Sequence, residues 1–457
     1  MLITENTKSI YKEQDEKFLN NEIKPISTVS EKKDKLQNRA LELSEGYAHL
    51  VLSWGTGCGK SLAALKIIKS RIDSGDKTPW FIVCSELNHI DNWVAEIVKH
   101  KLGYLMEYIE IFCYASLGKY KNKTANLILD ECHSVSDLRL NHLKTIQAKN
   151  IISLSATLNQ ERKNQLSQLR GFREFEVTIT DAINVGILPA PTIYVIHDKL
   201  DNNPYHNHEI FIKTKGSVNR KKILSPTFEV DYKEYYNTLK NNKDLDNYIL
   251  RVRCNEQQYY DLITNDIEYY KSSFFTKRSA WSKNKMLRLG NDRKVYISNS
   301  KERMLNDINY ILHSNAYRYI VFTGSIEQCD GIGRFNAIHS KVPEKKRKEI
   351  IQKFNNKEIN SIYAVQMLRE GQNFEDIEAG IITQLDSEDL SFVQMMGRVF
   401  RSTNPILFVL VKNNTQDITY LRKCIDGLDD KYITYVEYTI QNMQTLNNIL
   451  CQRKQKG

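Results

Sequence analysis

The sequence predicts an α/β protein: two parallel-sheet domains joined by a less regular, partly helical segment. Three observations predict it. Short apolar runs alternate with amphipathic stretches from about Lys35 onward, Pro189-Ala190-Pro191 breaks the pattern, and the same alternation resumes after residue 300. Strand–helix alternation builds parallel sheets with helices on both faces.

The first 34 residues are polar and lysine-rich and read as a loose arm or a short helix. Residues 35–200 are assigned to the first domain. Its strands are the apolar runs at 48–53, 80–84, 109–113, 126–129 and 151–154, each short and bounded by polar residues. That is the pattern of strands buried on both faces. Stretches 61–71 and 91–100 read as helices between them. Residues 201–300 form the connecting segment, polar and rich in tyrosine, whose Tyr pairs read as core and helix packing. Within it, 271–294 carries eight basic residues against one acid, Asp292, with Phe274, Phe275 and Trp281 interleaved. This mixture is a candidate nucleic-acid contact through phosphates and stacking. The competing reading is a solvated helical face whose aromatics pack inward. The second domain is assigned to 301–412, with strands at 319–322, 361–365, 379–383 and 406–411; residues 413–457 read as a helical tail.

Composition excludes several classes. The 457 residues, 41% hydrophobic and 26% charged, are too many for one ordinary domain and too apolar for a wholly disordered chain. No run approaches the roughly 18 apolar residues of a membrane span. The N-terminus lacks the apolar core of a signal peptide. A cytoplasmic protein with no membrane partner is therefore expected. No two of the eight cysteines form a Cys-x-x-Cys pair, so neither a zinc pair nor a redox motif is visible. The net charge of +10 permits a polyanion partner without requiring one.

The strongest local signal is Gly55-Thr56-Gly57-Cys58-Gly59-Lys60-Ser61, directly after a predicted strand. Glycines let several N–H groups converge on one phosphate, and the following helix adds its positive end. Lys60 can reach the β- and γ-phosphates of ATP, and the Ser61 hydroxyl can ligate Mg²⁺. Trp54 stands where the strict phosphate-loop pattern has its first glycine. Seventy residues after Lys60, a second apolar run ends in Asp130-Glu131-Cys132-His133. Asp130 suits a Mg²⁺ shell and Glu131 an attacking water, the two needs of phosphoryl transfer. Ser155-Ala156-Thr157 follows a further strand, where its hydroxyls can bond or report on those carboxylates. In the second half, Gln394, Arg398 and Arg401 share one helical face. Two guanidinium groups on that face suit a γ-phosphate transition state.

Together these residues resemble the superfamily 2 helicases and translocases of the DExH type. GTGCGKS corresponds to motif I, DECH to motif II, SAT to motif III, Val321–Ser325 to motif IV, Met367–Asn373 to motif V and QMMGRVFR to motif VI. The stretch from Phe81 through Asn92, Trp93 and Glu96 to His100 resembles motif Ia of Swi/Snf-like and type III restriction-type members, and Tyr114-Ala115-Ser116-Leu117 their motif Ib. The resemblance implies two RecA-like domains with ATP in the cleft between them. It implies that nucleic acid lies across both, held mainly through phosphates, with motifs Ia, Ib, IV and V along the track. It assigns Gln37 to the adenine, and His133, Ser155, Thr157, Arg369 and Glu370 to coupling, with Gly371 on the nucleotide side of motif V. Cys132 replaces the alanine usual in DEAH proteins, and the GLGKT ending of Swi/Snf proteins is absent. Compact length and AT-rich residue usage resemble phage and viral members.

The expected activity is that of an ATP-dependent DNA helicase or duplex translocase in replication, recombination or repair, working with proteins of those processes. An RNA helicase and a non-processive ATP-dependent clamp remain alternatives. A restriction motor is a further one, with cleavage supplied by a partner.

Overall fold

The computed structural model describes residues 5–202, 206–211, 227–235, 249–365, 374, 376–386, 395–397, 399, 402–426 and 428–456. His49–Trp54 (β1) is buried along its whole length. Such a strand is stable only inside a sheet covered on both faces. It lies between β5 (Gln147–Ser155) and β6 (Arg173–Val177). Outward from β5 follow β4 (Thr124–Leu129), β2 (Trp80–Cys84) and the edge strand β3 (Ile109–Cys113). Every pairing is parallel. Helices α3 (Lys60–Asp73), α4 (Leu87–Lys99), α5 (Asp137–Leu143) and α6 (Gln160–Ser167) return the chain between strands.

The segment expected to be a loose arm or short helix contains α1 (Glu5–Phe18), a helix of 14 residues laid against β6. Asp15 and Arg173 form a buried ion pair there, and the Arg173 guanidinium also lies 4.3 Å over the Tyr11 ring. The next helix, α2 (Val29–Gly46), starts at a Thr28 cap that accepts from the Glu31 amide. A polar N-terminal sequence conceals this docking because its anchors, the Asp15–Arg173 pair and Phe18 against Phe175, are long-range contacts.

After the short helix α7 (Ile179–Asn184), the chain crosses at Pro189-Ala190-Pro191. The next strand, β7 (Thr192–Asp198), falls within the span assigned to the first domain, yet it belongs to the second sheet. That sheet has the order β12 (Ala337–Ile338), β13 (Ser361–Val365), β11 (Tyr319–Thr323), β14 (Ala379–Ile382), β15 (Ile406–Lys412), β7 and β16 (Ile433–Glu437). All its pairings are parallel too. The domain boundary therefore lies at the proline break and not at residue 200. The span read as a helical tail also contributes a strand, β16, besides the helix Ile440–Lys456. A short apolar strand reads alike whichever sheet accepts it, so only pairing reveals the assignment.

Between β7 and the rest of its sheet, β8 (His206–Phe211), β9 (Thr227–Asp231) and β10 (Ile249–Cys254) form a small sheet of order β8-β10-β9. A single turn of helix, α8 (Tyr232–Glu234), follows β9. Then come two long helices, α9 (Glu256–Lys277) and α10 (Ala280–Asn299), packed as a hairpin. Asn255 and Gln258 close a capping box at the start of α9, and Ser279 caps α10. The base of the hairpin is bolted to the second domain: Lys294 pairs with Asp386 at 2.9 Å, and Ser298 Oγ lies 2.9 Å from both Gln328 Oε1 and Thr383 Oγ1. Helices α11 (Glu302–Ser314), α12 (Ile326–Gly333) and α13 (Glu344–Asn355) complete that domain's described helical cover together with Gln416–Cys424 and Ile440–Lys456.

The two RecA-like domains share buried contacts. One apolar cluster runs from β1 and α3 through Ile187 and Leu188 to Met395, Met396 and Val399. No helix among the described residues is long and apolar enough to cross a membrane.

Candidate nucleotide site

β1 delivers the chain into Gly55-Thr56-Gly57-Cys58-Gly59, and α3 begins at Lys60. Gly59 sits at φ +90°, in the left-handed region that glycine enters without strain. A Cβ there would also stand 2.5 Å from Gln37 Nε2. Gln37, on α2 and only 3% exposed, thus packs directly on the loop. The Gly55 amide donates to the Val177 carbonyl at 2.8 Å, tying the loop to the end of β6. Cys58 is fully buried, and burial pushes its thiol up to about 11, so it packs as an apolar group. Lys60 Nζ donates to the Trp54 carbonyl at 2.8 Å, spanning the loop it would share with a phosphate. The first turn of α3 leaves N–H groups without helical acceptors, which makes it an anion site.

The sheet order decides what meets this loop. β4, β5 and β1 are consecutive neighbours and all parallel, so their carboxyl ends share one edge. That edge is where open α/β sheets bind ligands. Lys60 and Ser61, Ser155 and Thr157, and Asp130 and Glu131 are thereby gathered from three separate stretches of chain.

Asp130 is held from several sides. Its amide donates to the Val83 carbonyl at 2.9 Å, and one carboxylate oxygen accepts from the Glu131 amide at 3.0 Å. The other accepts from Trp93 Nε1 at 2.9 Å, with His89 Nδ1 at 3.8 Å. Burial and then the neighbouring Glu131 charge push Asp130 up to about 6, against the Trp93 hydrogen bond. Glu131 adopts φ +46°, an uncommon conformation for a side-chain-bearing residue and one that clusters at functional sites. Burial raises its carboxyl, but the adjoining His133 and the Lys60 charge carry the net shift below the ordinary range. His133 Nδ1 lies 3.3 Å from Ser155 Oγ and 3.3 Å from Glu131 Oε2. Only the Ser155 contact is aligned as a hydrogen bond, so Glu131 Oε2 is buried without one among the described residues. Ser155 in turn donates to the Thr157 carbonyl at 2.7 Å. The SAT segment therefore reaches the carboxylates through His133 and not by its own hydroxyls.

Two residues expected along a nucleic-acid track face inward instead. Trp93 grips the Asp130 carboxylate, and the Tyr114 hydroxyl donates to the Asp130 carbonyl at 3.1 Å. Both are buried. His89 was not singled out from the sequence; its spacing of four from Trp93 on α4 was the available signal. Motif IV is also structural in part, since Ser325 caps α12 and bonds Asn299 at 3.0 Å.

From the second domain, Gly397 comes up against the loop: a Cβ on it would lie 2.3 Å from the Thr56 Cβ. Only a residue without a side chain permits that approach. Gln394, Arg398 and Arg401, and Arg369, Glu370 and Gly371 of motif V, lie outside the described residues.

The donor set fits Mg²⁺. Two adjacent, partly buried carboxylates, the Glu131 Oε2 atom lacking a hydrogen bond and the Ser61 hydroxyl at the start of α3 are hard oxygen ligands that gain from a cation.

The fold and this edge define a two-domain P-loop protein with paired RecA-like sheets. Residues 285–403 match the model of the helicase conserved C-terminal domain. That match begins within α10, inside the span assigned to the connecting segment, as the bolted hairpin base leads one to expect. Two structures of Saccharomyces cerevisiae Dbp5 bound to RNA and ADP BeF3, one of them a variant, superpose with TM-score 0.55 at 10% identity, covering 92% of this chain and 93% of theirs. The Pyrococcus furiosus Hef helicase domain aligns at TM-score 0.45 and 13% identity, over 86% of this chain and 97% of that one. No curated protein matches the chain in sequence. The domain match places a helicase conserved C-terminal domain at residues 285–403, and the Dbp5 likeness shows the two-domain fold.

Proposed function

We propose that this protein is an ATP-hydrolysing motor that moves on or separates nucleic acid, with DNA as its polymer. One observation carries the reading: the Lys60 loop, the Asp130–Glu131 pair and the Ser155 segment share one sheet edge, and Gly397 of the other domain closes onto Thr56. A binding fold alone has no need of a second domain at the phosphate loop.

The loop amides and Lys60 cradle the β- and γ-phosphates, and Gln37 beside Gly59 is placed for the base. The Glu131 carboxylate, ionised at neutral pH, orients water toward the γ-phosphate and accepts its proton. Ser61 and Asp130 would hold Mg²⁺, which supplies charge neutralisation on the phosphates. We assign the remaining transition-state charge to Arg398 and Arg401, with Gln394, which neighbour Gly397 in sequence. ATP then favours the closed pair of domains, and hydrolysis removes that preference. His133, between Glu131 and Ser155, is placed to pass the state of the site to the β5 end. The motif V residues Arg369, Glu370 and Gly371 belong to the same coupling in the second domain.

DNA is favoured by the motif Ia and Ib resemblance. RNA is the second reading, since the Dbp5 structures on the same fold hold RNA. The test is steady-state ATP hydrolysis without polymer and with single-stranded, duplex and branched DNA and with RNA, at fixed salt. Stimulation by DNA that disappears in Lys60→Ala and Glu131→Gln supports the motor. Stimulation by RNA alone transfers the assignment to RNA. A negligible rate with every polymer overturns the autonomous motor.

A further inference from the structure

The α9–α10 hairpin is divided in two. Its base is buried around Tyr260, Leu262, Ile263 and Ile297. Arg293 lies 5.6 Å from the Tyr260 ring and donates to Thr264 at 2.9 Å, and the Tyr260 hydroxyl accepts from the Gln416 amide. The outer half has no comparable cover. Tyr269, Phe275, Trp281 and Leu287 are 68%, 70%, 59% and 57% exposed. Clusters of exposed large apolar side chains of this kind mark binding surfaces.

These rings are organised. Edge-to-face contacts link Tyr269 to Tyr270 at 5.2 Å and Tyr270 to Trp281 at 5.4 Å. Phe275 leans on Phe274, over which Lys283 Nζ sits at 6.0 Å. Ser273 and Ser282 meet across the two helices at 3.1 Å, so the tip is a defined shape. The tip turns through Arg278, which takes the left-handed conformation at φ +47°. Lys277, Arg278, Lys283 and Lys285 make no ion pair among the described residues. The reading of this stretch as a solvated face with inward-packed aromatics does not hold for Trp281 and Phe275, which are on the outside.

We propose that this tip is a binding surface for single-stranded nucleic acid, carried rigidly by the second domain. The inference rests on the motor reading and adds to it a contact outside the two RecA-like domains. Exposed rings interleaved with unpaired cations match a polymer that offers both phosphates and unstacked base faces. A duplex hides its base faces, and a protein partner of ordinary surface has no use for this excess of positive charge. The Lys294–Asp386 pair and the Ser298 network make the hairpin base continuous with β14, so domain movement driven at the ATP cleft displaces the tip and whatever strand it holds.

The test uses the full-length chain and fluorescence anisotropy with labelled oligo-dT, oligo-U and a blunt duplex, titrated at several salt concentrations. The first variant combines Lys277→Gln, Arg278→Gln, Lys283→Gln and Lys285→Gln. Its log–log salt slope on single strands is expected to shrink by roughly 3, at about 0.7 for each phosphate that is no longer neutralised. The second variant combines Phe275→Ala and Trp281→Ala. It is expected to weaken single-strand binding about tenfold or more while leaving the salt slope as it was, because stacking releases no counterions. An unchanged thermal midpoint shows that each variant is folded. Wild-type affinity and slope retained in both variants overturn the proposal while leaving the motor reading intact. Equal weakening on the duplex overturns the single-strand assignment. Failure of the wild-type chain to bind any of the three polymers overturns this proposal and the motor reading together.

Discussion

The carboxyl edges of the two sheets bury charge in opposite ways. At the first, Asp130 and Glu131 are adjacent anions, and Glu131 Oε2 has no hydrogen bond among the described residues. At the second, Lys301 Nζ is buried too, yet it pairs with Asp417 at 2.6 Å and donates to the Thr383 carbonyl at 2.6 Å. Asp417 also accepts from the Lys412 amide at 2.9 Å, and Thr383 is tied to Gln328 and Ser298. Burying an ion is costly unless its neighbours replace water. The second edge replaces it within the protein and acts as a lock between hairpin, sheet and the helix Gln416–Cys424. The first leaves the replacement to something that arrives, which is what a ligand site requires.

The sharpest break of this comparison is Glu131→Gln. Loss of the water-orienting carboxylate is expected to lower ATP turnover about a thousandfold or more, roughly 4 kcal/mol of barrier, measured as kcat with saturating polymer. The same substitution removes a charge that His133 and Lys60 favour, together with the repulsion it exerts on Asp130, so only a small change in the urea midpoint is expected; a loss of about 3 kcal/mol or more contradicts the contrast. Lys301→Ala should behave in the opposite sense. It strands Asp417 as an unpaired buried anion and is expected to destabilise the chain by about 3–5 kcal/mol, read from urea unfolding. A Lys301→Met, Asp417→Leu double variant is expected to recover most of that, and failure to do so means the pair is more than a lock.

A third prediction uses the opposite end of β1. His49 is buried as a neutral ring, with Nδ1 3.1 Å from the Arg170 carbonyl and Nε2 3.0 Å from Ser153 Oγ. Burial lowers its pKa to about 4. The unfolded chain therefore binds the extra proton first as pH falls. Stability is full above about 6.5 and is lost progressively down to about 4, by roughly 3 kcal/mol in total. His49→Asn is expected to flatten that part of the stability–pH curve, and an unchanged slope rules His49 out as its source. The smallest expected effect on turnover is that of Trp93→Phe, which removes one hydrogen bond to Asp130 and trims a buried indole. A fall of roughly tenfold in kcat is expected from the lost hydrogen bond, beside a loss of stability from the vacated space. An unchanged kcat would make Trp93 a packing residue only.

Much of the first edge was legible in the chain. GTGCGKS needs glycines for its loop and places Lys60 at a helix start, and the apolar strand before Asp130 announces the partner carboxylate. The strands were legible because burial on both faces leaves an unbroken apolar run, as in β2 and β15. β6 escaped notice because its Arg-Glu-Phe-Glu-Val alternation buries a charged residue, Arg173, against α1. The inward turn of Trp93 and Tyr114 escaped notice as well. A motif tells which residues recur together, but the direction of a side chain depends on which neighbouring strand end it meets.

What the sequence alone determined was the inventory: a chain of two α/β halves, a phosphate loop, a carboxylate pair and a basic, aromatic stretch between the halves. Local chemistry writes such features, because periodicity, glycine placement and helix starts act over a few residues. Tertiary structure decided which strands joined which sheet, sending β7 across the Pro189-Ala190-Pro191 break and drawing β16 in from the tail. It decided that Gly397 would meet Thr56, that Lys301 would find Asp417, and that Trp281 and Phe275 would face water. Each of these depends on contacts between residues far apart in the chain, whose free energy exists only once the sheets have formed.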